Sequence, residues 1–180
     1  MFRSFLAIEL VDELKNSISK VENEFKKTGA DIKYVPKENM HFTLKFFGDI
    51  SENKAEKIAN IVSKTLRNYE PFIINIHGCG AFPNENHIKV IWIGADNNKT
   101  LTNLQKELDN EFSKIGFKKE RNYKSHLTIG RMKSSKNKDQ VKKTINKFKD
   151  KEVGPMVVNE IILKKSTLTP QGPIYENLKV

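Results

Sequence analysis

His41-Phe42-Thr43-Leu44 recurs 85 residues later as His126-Leu127-Thr128-Ile129. No other feature of the chain restricts its fold as strongly. Side chains alternate between the two faces of a β-strand. On a strand, His41 and Thr43 share one face while Phe42 and Leu44 share the other. His126 and Thr128 stand against Leu127 and Ile129 in the same way. Each copy therefore roots in a core through its apolar face and presents an imidazole and a hydroxyl on the opposite one. Two such strands brought together supply an acid, a base and two hydroxyl donors around one small anion. That set suits acid–base chemistry on a phosphate without a metal.

The same offset finds further partners. The strand-like run Phe2–Glu9 maps close to Ile88–Ala95, and the apolar run Phe72–Ile76 maps to Val157–Ile161. The helical patterns Val11–Lys27 and Glu52–Leu66 fall near Lys99–Ile115 and Asn137–Phe148. The chain reads as two halves, each strand, helix, tetrad strand, helix, strand. This predicts an internal duplication within one domain spanning residues 1–180, because neither half is large enough to bury a core alone.

Spacing at threes and fours marks the helices. Leu14, Ile18, Val21 and Phe25 form one apolar stripe, Ile58, Ile61 and Val62 a second, and Leu101, Leu104, Leu108 and Phe112 a third. Ser51 is placed to cap the second helix. Ile32–Val35 reads as a short strand before a turn at Pro36–Asn39. Phe72–Cys79 reads as a strand followed by a loop over Gly80–His87, and Met156–Lys164 as a single strand. The tail Ser166–Val180 turns at Pro170, Gly172 and Pro173 and ends in a short strand, Ile174–Leu178.

Lys and Arg outnumber Asp and Glu by 32 to 22, a net charge of +10 on 180 residues. That excess favours polyanionic partners, although many of the lysines are simply good solvent-facing helix formers. The basic run Lys114–Lys124 lies just before His126 and is the more telling feature. Cys79 is the only cysteine, which leaves no disulfide framework and no cysteine metal cluster. It is expected to be a small buried residue. No apolar run reaches the roughly 20 residues needed to span a bilayer, and the opening segment is too short and too soon acidic for a signal peptide. A soluble, cytoplasmic protein is expected, and a monomer by default.

Opening a cyclic phosphodiester requires water to lose a proton and a ribose oxygen to gain one. His41 and His126 meet both needs if one is neutral and the other protonated. Thr43 and Thr128 are placed to donate to the non-bridging oxygens. Lys45 and Arg131 follow their tetrads and are the candidate cations for charge developing at phosphorus. Lys45 has the parity of His41. Arg131 has the opposite parity to His126 unless the strand bulges near Gly130. Zinc usually takes three or four protein ligands, and no carboxylate or cysteine stands at metal-binding spacing beside either tetrad. His77 and His87 are unduplicated and flank a loop, which suits surface or cleft-rim roles. Nothing in the chain matches a serine-nucleophile elbow or a phosphate-binding glycine loop.

Around these residues the chain resembles the two-histidine phosphoesterase superfamily. Within it the chain looks like the bacterial and archaeal RNA 2′,3′-cyclic phosphodiesterases, historically called 2′-5′ RNA ligases. The likeness spans nearly the whole sequence. It rests on Phe5–Leu10, Val35-Pro36 with Glu38–Gly48, Phe82-Pro83-Asn84, Val90–Gly94, His126–Arg131 and Ser166–Tyr175. It implies an α+β, bilobal fold with two pseudo-symmetric antiparallel sheets flanked by helices around a central cleft. It also implies hydrolysis of a terminal 2′,3′-cyclic phosphate to a 2′-phosphomonoester with no cofactor and no metal. By this resemblance His41 donates a proton to the leaving 3′ oxygen and His126 activates water. Thr43 and Thr128 bind phosphate, and Arg131 supports the site. RNA bearing cyclic ends is the expected partner, with tRNA fragments a family-level expectation. Ser125 stands where many relatives carry proline. Two other readings stay open, the reverse 2′-5′ joining of a cyclic-phosphate end to a 5′-hydroxyl end and a non-catalytic RNA-end-binding module. Tyr123, Phe47 and Phe82 are the candidate base-stacking residues.

Overall fold

The computed structural model describes residues 1–96 and 99–178; the last two residues of the predicted tail lie outside them. β1 (Phe2–Glu9) leads into α1 (Asp12–Lys26), β2 (Ile32–Tyr34) and a single 3-10 turn at Lys37–Asn39. β3 (His41–Ile50), α2 (Glu52–Leu66), β4 (Phe72–Asn84) and β5 (His87–Ala95) follow, then α3 (Lys99–Lys114) and β6 (His126–Met132). The chain closes with α4 (Lys138–Lys147), β7 (Glu152–Val158), β8 (Ile162–Thr169) and β9 (Gly172–Leu178).

The helices form where the sequence predicts, and for the predicted reason. In α1 the residues that go into the core are Leu14, Ile18, Val21 and Phe25, one stripe along the helix. Ser51 caps α2, its hydroxyl accepting the Lys54 N–H at 3.3 Å. β1 is buried on both faces from Ser4 to Ile8, because it lies inside the sheet with Leu6 and Ile8 in the core and Phe5 against His41, Phe46 and Tyr175 on the other face.

All strand pairs are antiparallel, in the order β7-β4-β5-β6-β3-β1-β8-β9, with β2 added beside β6. The sheet is narrowest at its middle. β3 and β6 pair through one residue couple only, Phe42 with Leu127. Counting β2, five strands lie on the β6 side of this joint and four on the β3 side, so the two antiparallel sheets are two wings of one surface and the cleft opens where β3 and β6 diverge. The wings exchange strands. β4 follows α2 in sequence yet pairs with β5 and β7, while β8 follows β7 yet pairs with β1. The core runs beneath both wings and joins Phe42, Leu44, Leu127 and Ile129 to buried side chains from all four helices.

Two segments differ from their predicted form. β4 continues through the expected loop to Asn84, whose side chain accepts the N–H groups of Asn86 and His87 at 3.0 Å and closes a tight turn. Gly80 reads as a loop residue, but it is glycine because the Trp92 indole lies against it. A Cβ there would stand 2.3 Å from that ring. The run Met156–Lys164 is two strands, β7 and β8, split at the polar pair Asn159-Glu160 where the chain crosses from one wing to the other.

Candidate active site

The joint between the wings builds the site. Phe42 and Leu127 are fully buried, so their neighbours His41, Thr43, His126 and Thr128 are turned to the open face. In the register of this pair, His41 stands across from Thr128 and Thr43 across from His126. All four line one cavity of about 410 Å³, together with Arg131 and Tyr175. A larger basin of about 750 Å³ lies on the β4–β5 wing, lined by His77, Trp92 and Tyr123, and holds neither tetrad.

The two imidazoles are anchored alike. His41 Nδ1 lies 2.7 Å from the Asn39 carbonyl oxygen, and His126 Nδ1 lies 2.8 Å from that of Lys124. A carbonyl only accepts, so each Nδ1 carries the proton and each neutral ring turns the lone pair of Nε2 away from its anchor. His41 Nε2 meets the Thr43 hydroxyl at 3.1 Å. Aromatic rings hold the imidazoles in place. Phe5 lies 4.7 Å from His41, with Tyr175 edge-on at 5.4 Å, and Phe82 stands edge-on to His126 at 4.8 Å.

Burial pushes the His41 pKa down to about 4, against the opposing bond to the Asn39 carbonyl and with help from the Lys164 charge. His126 is lowered as well, chiefly by burial, with Lys124 and Arg131 acting the same way against the Lys124 carbonyl bond. Both rings are therefore neutral at pH 7 while the cleft holds no anion. A phosphate arriving beside them favours the imidazolium.

A matching irregularity follows each tetrad. Along β1 the partner of Thr43 is Ala7 and the next paired couple is Leu6 with Lys45; along β5 the partner of Thr128 is Trp92 and the next is Ile91 with Gly130. One residue is skipped each time, Leu44 or Ile129, and the faces exchange. Arg131 thereby reaches the cleft, as a bulge near Gly130 requires. Gly130 itself must lack a side chain, since a Cβ would lie 2.7 Å from Ile32 Cγ2.

The same exchange removes Lys45 from the cleft, correcting its expected place beside His41. Lys45 is 4% exposed, and its ammonium lies 2.6 Å from Asp109 Oδ1 on α3, where it also meets the Lys118 carbonyl. Phe46 takes the cleft position instead, 66% exposed. Phe47 packs inside against Phe112 and Phe117, each at 4.9 Å, and Tyr123 lines the larger basin, so of the three candidate stacking residues only Phe82 stands beside a tetrad histidine. From the basic run, Lys124 lies over the Trp92 ring at 4.1 Å. His77 lines the larger basin and His87 is exposed at the start of β5. Cys79 is buried. Tyr175, Phe5 and Phe46 are site residues that parity and motif reasoning missed. Tyr175 lies within the closing segment Ser166–Tyr175, but nothing local says that this strand returns to His41.

The fold is that of known proteins. The chain belongs to the 2′-5′ RNA ligase superfamily, whose model matches residues 10–166. It is 48% identical over 178 residues to the RNA 2′,3′-cyclic phosphodiesterase of Methanothermobacter thermautotrophicus, covering 99% of this chain and 97% of that one. It is 47% identical over 177 residues to the protein of the same name from Methanocaldococcus jannaschii, covering 98% of each. Among solved structures, TT0787 of Thermus thermophilus superposes with a TM-score of 0.83 over 98% of this chain and 94% of that one, at 23% identity, a likeness of fold.

Proposed function

We propose that the protein hydrolyses the 2′,3′-cyclic phosphate at the end of an RNA chain to a 2′-phosphomonoester. The observation that carries this reading is the pair of histidines anchored alike through Nδ1, with both rings lining one cavity with the two threonines. The names of the two archaeal relatives support the substrate. In the proposed step His126 takes a proton from water as the water oxygen attacks phosphorus. His41 gives a proton to the 3′ oxygen as its bond to phosphorus breaks. One proton is taken and one is given, and exchange with solvent resets the pair. The direction of the two roles follows the family resemblance, because the tetrads are alike. Thr43 and Thr128 donate to the non-bridging oxygens, and the Arg131 guanidinium offsets charge building there. His41 is neutral in the empty cleft; the substrate anion raises the basicity of its Nε2, which takes up a proton from solvent before giving it to the leaving oxygen.

The meeting of the two tetrad strands at the middle of the sheet and the 85-residue offset support an internal duplication within a single domain over residues 1–180. A monomer suffices, since one chain supplies every residue named. Cyclic-ended RNA, tRNA fragments among it, gives the protein its work in the cytoplasm. Among the described residues no helix is long and apolar enough to cross a membrane.

Phosphorus NMR of a short RNA ending in a 2′,3′-cyclic phosphate tests this reading, with and without EDTA. Conversion to a 2′-monoester, unchanged by EDTA, is the expected result. A cyclic phosphate that persists until an RNA with a 5′-hydroxyl is added, and then joins it, would make the protein a ligase instead.

A further inference from the structure

The cleft carries more positive charge than one cyclic phosphate requires. Lys33 on β2 pairs directly across from Arg131 on β6, and Lys133 follows two residues later. All three line the cavity of the tetrads. Like charges directly opposite each other on neighbouring strands destabilise a sheet. The buried lysines of this protein are matched, Lys45 by Asp109 and Lys164 by Glu9. Among the described residues Lys33, Arg131 and Lys133 have no ion-pair partner. Lys33 and Arg131 directly across from each other, with Lys133 beside them at the same cavity wall, repel one another and favour an anion. The terminal cyclic phosphate carries a single negative charge, and two imidazoles, two hydroxyls and Arg131 already serve it. Lys33 and Lys133 are left over.

We propose that Lys33 and Lys133 form a second anion subsite, which holds the internal phosphodiester next to the cyclic end. This rests on the reading of the cleft as an RNA-end site and deepens it: the protein selects a polynucleotide end over a free 2′,3′-cyclic mononucleotide, which has no internal phosphodiester. The subsite exists because β2 leaves α1 and lies along β6 beyond the point where β3 has diverged from it. Without β2 that edge of β6 would have no facing strand and no Lys33.

The test compares the wild-type chain with Lys33→Ser/Lys133→Ser and with Lys33→Arg/Lys133→Arg. Both lysines are exposed. Affinity is read by fluorescence anisotropy of a short labelled RNA ending in a 2′-phosphate, across a salt series. Turnover is read with a cyclic-ended RNA and with 2′,3′-cyclic CMP. In the serine variant the RNA is expected to bind about tenfold more weakly at low salt, with a log–log salt slope shallower by about 0.7 for one single-strand phosphate contact. Its preference for RNA over cyclic CMP, as a ratio of kcat/KM, should fall by a similar factor, while the arginine variant keeps both. An unchanged affinity and slope would overturn the subsite. So would an equal fall for both substrates, which would place the lysines at the reacting phosphate, and so would a wild-type chain with no salt-dependent affinity for RNA. If the wild type binds RNA but turns over neither substrate, the hydrolase reading fails, and the binding series still decides the subsite.

Discussion

Lys45 and Asp109 form a buried ion pair, ammonium to carboxylate at 2.6 Å, between the strand that carries His41 and helix α3. Asp109 also accepts the Glu120 N–H at 2.8 Å, and Lys45 meets the Lys118 carbonyl. The pair thus ties the segment leading into β6 to the first tetrad strand. Removing Lys45 leaves the Asp109 carboxylate buried without its counter-charge, and removing Asp109 leaves the Lys45 ammonium only the half-exposed Glu120 carboxylate at 3.5 Å. Lys45→Ala or Asp109→Ala is expected to cost about 3–5 kcal/mol, while an apolar pair of similar volume, Lys45→Met with Asp109→Leu, should cost much less. Urea unfolding of the four chains measures this. A single variant within 1 kcal/mol of wild type, roughly the value of an exposed pair, would show that the charges are not buried in solution.

His41→Ala and His126→Ala are each expected to lower turnover about 10²–10⁴-fold, the range for one general acid or base. Both side chains face the cavity, so circular dichroism should stay native. Full activity in either variant would remove that histidine from the chemistry. Since the bound phosphate favours protonated imidazole, the limbs of the wild-type kcat profile should lie at higher pH than those of kcat/KM, which report the free protein.

Thr128→Ala is expected to cost roughly 1–3 kcal/mol in kcat/KM for a lost hydrogen bond to a charged oxygen. Thr43→Ala should cost at least as much and should also displace the His41 limb of the pH–rate profile, because the Thr43 hydroxyl lies 3.1 Å from His41 Nε2. Identical pH profiles for the two variants would show that the Thr43 contact does not influence His41.

Glu22 and His41 make stability depend on pH in opposite directions. Burial raises the Glu22 carboxyl from 4.5 to about 7, against the nearby Lys26 charge. Between these values the folded chain holds a proton that the unfolded chain has released, so this contribution is lost as pH rises. It amounts to at most about 3 kcal/mol, and Glu22→Gln should gain most over wild type at pH 8 and little at pH 4.5. His41 is lowered from 6.5 to about 4, so its contribution is present above 6.5 and lost as pH falls toward 4. The advantage of wild type over His41→Gln should shrink across that window. Unfolding curves at pH 4.5, 6 and 8 decide both, and a Glu22→Gln difference that does not change with pH would contradict the buried carboxyl.

The sequence by itself determined the parts whose pattern is local. The His-x-Thr tetrads put their apolar partners inside and their polar groups outside because strand alternation requires it. The stripes of α1, α2 and α3 and the Ser51 cap follow from helical period and from the amides a helix start leaves free. The tertiary structure alone decided which residue after each tetrad reaches the cleft. Parity points to Lys45, but a skipped residue against β1 sends Lys45 to Asp109 and Phe46 outward, and the same irregularity against β5 delivers Arg131. Gly80 looks like a loop until Trp92 is seen lying on it, and Tyr175 reaches His41 only because β9 returns from the far end of the chain. In each case the deciding contact joins two strands, which are distant in sequence except in the β4–β5 hairpin that brings Trp92 to Gly80. A local pattern records which face a residue prefers, and a change of register made by a remote partner leaves no trace in it.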